Sequence, residues 1–223
     1  MGTTLTLSSS DGHAFSAYRA DPSGTPRGGI VVVQEIFGVN YHIREVCDWY
    51  AAHGYTAIAP AVFDRAERDF ERDYGPEAMG EGIAMVGKLK PANTLADITA
   101  AAAAVSSSGK VAIVGYCYGG TMAAAASINL AGTISAAISY YGGGTVNMVD
   151  QAPQTPLLCH YGERDTHIPM DQVTTIAAKW PMAIVHTYAA DHGFNRHNSA
   201  TYDDAAAKLA QDRSLAFLAL TIG

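Results

Sequence analysis

Basic residues are scarce: 14 Lys and Arg stand against 21 Asp and Glu, a net charge of -7 over 223 residues. With no Lys/Arg cluster, the electrostatic footprint of a nucleic-acid surface is missing. No apolar run approaches the roughly 20 residues of a membrane helix, so no membrane partner is expected. The first ten residues have neither a basic end nor an apolar core, so no secretory signal is expected. Cysteine is limited to Cys47, Cys117 and Cys159. An odd number without C-x-x-C or metal spacing excludes a disulfide framework and points to a reduced, cytoplasmic protein with a free thiol and no metal or cofactor. No Pro/Ser-rich linker or repeat divides the chain, and residues 1–223 read as a single domain.

Glycine is plentiful instead, at 22 residues, and two glycines frame the stretch on which the reading turns. Val111 to Val114 is an apolar run suited to a strand buried on both faces, and the Ala-rich run from Met122 to Ile128 suits a helix. Cys117 lies on the turn between them, as Gly115-x-Cys117-x-Gly119. This is the thiol counterpart of the G-x-S-x-G elbow, which lifts a nucleophile above a sheet. Small flanking residues suit a strained backbone approached closely by its neighbours, and a helix N-terminus behind sulfur favours the thiolate form. The pattern alone also fits a buried structural cysteine beside a packing glycine. Cys47, on an apolar helix stripe, and Cys159, inside a strand, read as core.

Around this element strands and helices alternate. Thr3 to Leu7 and Ala14 to Ala20 pair as a hairpin across a Ser-Asp-Gly turn. Ile30 to Val33, Tyr55 to Ala59, Ile134 to Tyr141, Leu157 to Tyr161 and Ala183 to Tyr188 read as further strands. Helices are expected after a cap at Asn40, over Thr94 to Val105 with Asp97 in its first turns, from Pro169 to about Trp180, and over Tyr202 to Leu220. The charged, glycine-containing stretch from Asp64 to Gly82 reads as a solvated lid or crossover. Right-handed crossovers then imply an α/β-hydrolase fold, a mainly parallel sheet of about eight strands with helices on both faces.

Open α/β sheets place their chemistry at the carboxyl ends of strands. Glu35, between Val33 and Gly38, reads as a carboxylate in that cleft or as a solvated loop acid. Asp165 and His192 follow later strands and complete a nucleophile, acid, histidine order; Glu163 and Asp171 are rival acids. The thiolate of Cys117 would attack an ester carbonyl, with His192 carrying the proton and Asp165 holding the imidazole tautomer. The backbone N–H groups of Ile36 and Tyr118 would meet the oxyanion.

Four motifs in register resemble the dienelactone hydrolase family over nearly the full chain: Gln34-Glu35-Ile36-Phe37-Gly38-Val39-Asn40, Gly115-Tyr116-Cys117-Tyr118-Gly119-Gly120, Tyr140-Tyr141-Gly142 and Asp191-His192-x-Phe194-x-Arg196. The resemblance implies a monomeric, cofactor-free enzyme of the carboxymethylenebutenolidase type, which opens an unsaturated lactone carrying a carboxylate to give maleylacetate. It implies Cys117, Asp165 and His192 as the triad and Glu35 as the carboxylate that holds the resting thiol and accepts its proton. Arg196 would bind the substrate carboxylate, with Phe37 and Tyr141 also at the substrate. No arginine lies between Asp73 and Ala92 to complete the family's arginine pair; a shifted alignment offers Arg72 or Arg68. A cysteine- or serine-type hydrolase of other small esters, or a non-catalytic thiol or binding protein of the same fold, remain the alternatives.

Overall fold

A computed structural model describes residues 2–223. Eight strands form one sheet in the order β1-β2-β4-β3-β5-β6-β7-β8. β1 (Thr3–Ser8) and β2 (Ala14–Ala20) make the expected hairpin, antiparallel at one edge, and β2 also pairs antiparallel with β4 (Thr56–Pro60). From β4 through β3 (Gly29–Val33), β5 (Val111–Tyr116), β6 (Ala136–Tyr140), β7 (Leu157–Gly162) and β8 (Ile184–Tyr188) every pairing is parallel. Strands β3 to β7 are buried along their whole length, which is why their sequences are apolar runs with no polar alternation. The α/β-hydrolase fold is thus present, with eight strands and a mainly parallel sheet.

Among the described residues six helices accompany the sheet: α1 (Tyr41–Ala52), α2 (Pro76–Lys88), α3 (Pro91–Val105), α4 (Tyr118–Asn129), α5 (Met170–Lys179) and α6 (Asp204–Thr221). The chain steps from β3 to β4 in one direction and from β4 across to β5 in the other. Right-handed connections therefore put α1 on one face and α3, α4 and α5 on the opposite one. The reversal opens a crevice at the carboxyl ends of β3 and β5, where Glu35 and Cys117 emerge. No helix among the described residues is long and apolar enough to cross a membrane.

Asn40 caps α1 as expected, its Oδ1 accepting from the Ile43 N–H at 3.3 Å. Four expectations need correction. The stretch read as a solvated lid runs into the 13-residue helix α2, which begins at Pro76; the helix's three glycines lower intrinsic propensity, but Pro76 is preset for the first turn. Helix α3 begins at Pro91, three residues before Thr94, and Pro169 precedes α5 as its cap. Asp97 does not serve a helix end. It is fully buried and bonded to Ser9 and, at 2.7 Å, to Arg65, tying the β1–β2 turn to α3.

Candidate active site

The elbow is built by close approach of backbone. A Cβ at Gly115 would lie 1.9 Å from the Gly119 carbonyl oxygen, and one at Gly119 would lie 2.1 Å from that of Val33. Only hydrogen fits at either position. The Cys117 N–H donates to Tyr140 O at 3.0 Å and the Gly119 N–H to Gln34 O at 3.0 Å, so the turn is pinned between β3 and β6. Cys117 is thereby held at φ 53°, ψ -112°, a conformation that costs a non-glycine residue on the order of 1–3 kcal/mol. Strain of this kind persists where surrounding structure imposes it, and here it leaves the thiol partly exposed at the N-terminus of α4. Cys47 and Cys159 are buried, and desolvation pushes both thiols up, that of Cys159 to about 12.

Asp165 and His192 meet across two loops. His192 Nδ1 bonds Asp165 Oδ2 at 2.7 Å, and Asp165 Oδ1 accepts from the backbone N–H groups of His167 at 2.8 Å and Ile168 at 3.1 Å. Burial of Asp165 favours its acid form, but His192 and these two N–H groups outweigh it and hold the carboxyl below its ordinary range. With Nδ1 engaged, Nε2 is the ring nitrogen left for the thiol. Burial lowers the proton affinity of His192; Asp165 and the nearby Cys117 sulfur reverse this and push it up to about 10. The rival acids lie elsewhere: Glu163 accepts from Thr187 at 2.8 Å, and Asp171 from the Gln172 N–H in the exposed first turn of α5.

Glu35 is 1% exposed, so the solvated-loop alternative does not hold. Burial raises its pKa against the opposing pull of Arg196 and His192. Its Oε1 lies 3.5 Å from Arg196 Nε without an aligned hydrogen bond, and its Oε2 accepts from the Tyr74 hydroxyl at 3.4 Å. Glu35 Oε1, Arg196 Nε and the Tyr141 hydroxyl are all buried and all lack a hydrogen-bond partner among the described residues. A group that bonded them would recover their desolvation penalty. The Arg196 guanidinium lies 5.7 Å from the Phe37 ring centroid and 5.2 Å from that of Tyr74. Tyr141, at φ 39°, packs its ring 5.0 Å from His192.

Ile36 and Tyr118 flank the same crevice, and their N–H groups donate to no protein acceptor among the described residues. The Tyr118 hydroxyl is 2.9 Å from Thr94 Oγ1, which keeps its side chain out of the turn. Arg72 is not brought to the cluster. Its guanidinium pairs with Glu81 and, at 3.9 Å, with Glu67, and stacks 4.3 Å from the Phe70 ring. Mixed charge in this stretch neutralises itself locally. Tyr74, which sequence reasoning passed over, does reach the site; its only signal is an aromatic at the end of a charged run, before Gly75-Pro76. His167, two residues after Asp165 and readable from sequence as a surface residue, stands beside the base, its ring 5.5 Å from His192 and edge-on. No group of three His, Cys, Asp or Glu among the described residues is placed to share a metal ion.

The profile of the Dienelactone hydrolase family matches residues 15–221. A carboxymethylenebutenolidase of Pseudomonas putida is 35% identical, covering 96% of this chain and 95% of its own length. Carboxymethylenebutenolidase 1 of Cupriavidus pinatubonensis is 29% identical with the same coverage of each chain. A Klebsiella pneumoniae crystal structure, provisionally described as a dienelactone hydrolase, superposes with a TM-score of 0.85 at 30% identity, covering 97% of this chain and 99% of that one.

Proposed function

Because this chain belongs to the dienelactone hydrolase family, and is with it a carboxylic ester hydrolase, we propose that it opens small carboxylate-bearing lactones of the dienelactone type through Cys117. The observation that carries this reading is the 2.7 Å contact between Asp165 and His192 Nδ1, which leaves Nε2 for a sulfur held on a strained elbow. In this reading residues 1–223 act as one domain. The substrate carboxylate takes over the Arg196 guanidinium, displacing Glu35, whose buried carboxylate then accepts the thiol proton. The thiolate attacks the ring carbonyl, and the developing oxyanion is met by the N–H groups of Ile36 and Tyr118. Collapse breaks the ring C–O bond, the leaving oxygen takes the proton that His192 holds, and the acyl group remains on Cys117 as a thioester. His192 then takes a proton from water, which attacks the thioester and returns the thiolate as the acid departs. Phe37 and Tyr141 line the substrate, and Arg72 has no part.

Cys117→Ala should reduce hydrolysis of an activated lactone by at least about a thousandfold. Mass spectrometry of His192→Ala after exposure to substrate should find an acyl adduct on Cys117. Undiminished turnover by Cys117→Ala removes the nucleophile from this scheme. A second reading, a small-ester hydrolase with no carboxylate preference, is favoured by one observation: Arg196 is already engaged by Glu35 and no second arginine joins it. Paired lactones and esters with and without a carboxylate decide between the two, since only the first reading expects kcat/KM to favour the anions.

A further inference from the structure

Several cavities lie outside the hydrolytic scheme. A pocket of about 250 Å³ lies between α1, the end of β5, the loop after β8 and α6, with walls that include His42, Trp49, Tyr116, Asn195, His197 and Gln211. Cys117, Glu35, Asp165 and His192 are not among its walls. His42 is 2% exposed, and its Nε2 has no hydrogen-bond partner. Burial, followed by the charges of His197 and Arg196, lowers its pKa to about 3, so the wall presents a neutral imidazole. A buried ring nitrogen without a partner carries a desolvation penalty that a bound group can recover.

The other walls narrow the chemistry. Asn195, 1% exposed, accepts from Gln211 Nε2 at 3.2 Å, which fixes both amides. Trp49 and Tyr116 supply aromatic surface. No lysine or arginine lines the pocket while Glu45 does, which disfavours an anion. A hydroxyl can donate to or accept from Nε2 in either imidazole tautomer. We propose that this pocket is a second ligand site for a small uncharged phenol-type molecule, its ring against Trp49 and Tyr116 and its hydroxyl on His42. Asn195 and His197 flank Arg196 in the chain, and Tyr116 precedes Cys117, so the ligand sits one residue from two members of the hydrolytic cluster.

The test titrates phenol into a Trp180→Phe variant whose Cys117 has been alkylated. Of the two tryptophans only Trp49 then reports, and the hydrolytic site is blocked. Trp49 fluorescence should quench saturably with a Kd of roughly 0.1–1 mM, the range open to a ligand of this size. His42→Phe should weaken binding at least tenfold, and Gln211→Leu several-fold, the latter serving alone if the former does not fold. Benzoate should not saturate the signal. Absence of saturation by phenol, unchanged affinity in the variants, or benzoate binding as tightly as phenol would each overturn the proposal.

Discussion

Arg196 shows how much one side chain depends on its chain neighbour. Gly193 has φ 74°, and a Cβ there would lie 1.9 Å from Arg196 Nη2, so the guanidinium passes through space only glycine leaves empty. Arg196→Ala should raise KM for carboxylate-bearing substrates by roughly 10- to 100-fold, as expected for loss of a charge-assisted bond, with kcat for neutral esters within a few-fold. Steady-state kinetics on a matched pair of esters reads this; equal losses on both would assign Arg196 to holding Glu35 instead. The motif around Arg196 was legible because its residues are close in sequence. Tyr74 was not, because its contact with Glu35 joins residues far apart in the chain.

Helix α2 carries a sharper contrast between positions of the same residue type. Nothing lies within 4 Å of a Cβ added at Gly80, whereas one at Gly82 would sit 2.1 Å from the Ile36 carbonyl oxygen. Gly80→Ala should therefore stabilise by about 0.5–1 kcal/mol, the gain from restricting the unfolded chain. Gly82→Ala should destabilise by about 1–3 kcal/mol through overpacking, and should also lower kcat by moving the loop that carries the Ile36 N–H. Urea midpoints with the two kcat values test the pair; a stable, fully active Gly82→Ala protein would show that α2 does not bear on that loop. Sequence reading saw glycines and mixed charge here and expected a lid, since helical propensity cannot register that a missing side chain is what lets a helix dock.

For the molecule as a whole, buried histidines set how stability responds to acid. His42 titrates near 6.5 when unfolded and at about 3 in the folded protein, and His160, bonded to Tyr188 and Ser214, is lowered in the same direction. Between these values the unfolded chain binds the proton and the folded one does not, so stability falls as pH falls below 6.5. His192 is raised, so its contribution is fully present below 6.5 and is lost only as pH rises through its folded value; Asp165 is lowered and gives way only in stronger acid. Moving from pH 6.5 to about pH 5 should thus cost wild type about 2 kcal/mol through His42, and urea midpoints for His42→Phe should show that much less of a drop. An equal drop in the variant would mean that His42 is protonated when folded. The chain by itself determined the succession of strands and helices, because buried runs, caps and glycine turns are local, and it determined which cysteine, acid and histidine stand at strand ends. Only the tertiary structure decided that Glu35 is dry and paired with Arg196, that Arg72 is neutralised by Glu81, and that Asp97 is a buried anchor. The physical reason is that a charge takes its meaning from desolvation and from partners distant in the chain, and neither is written in the residues beside it.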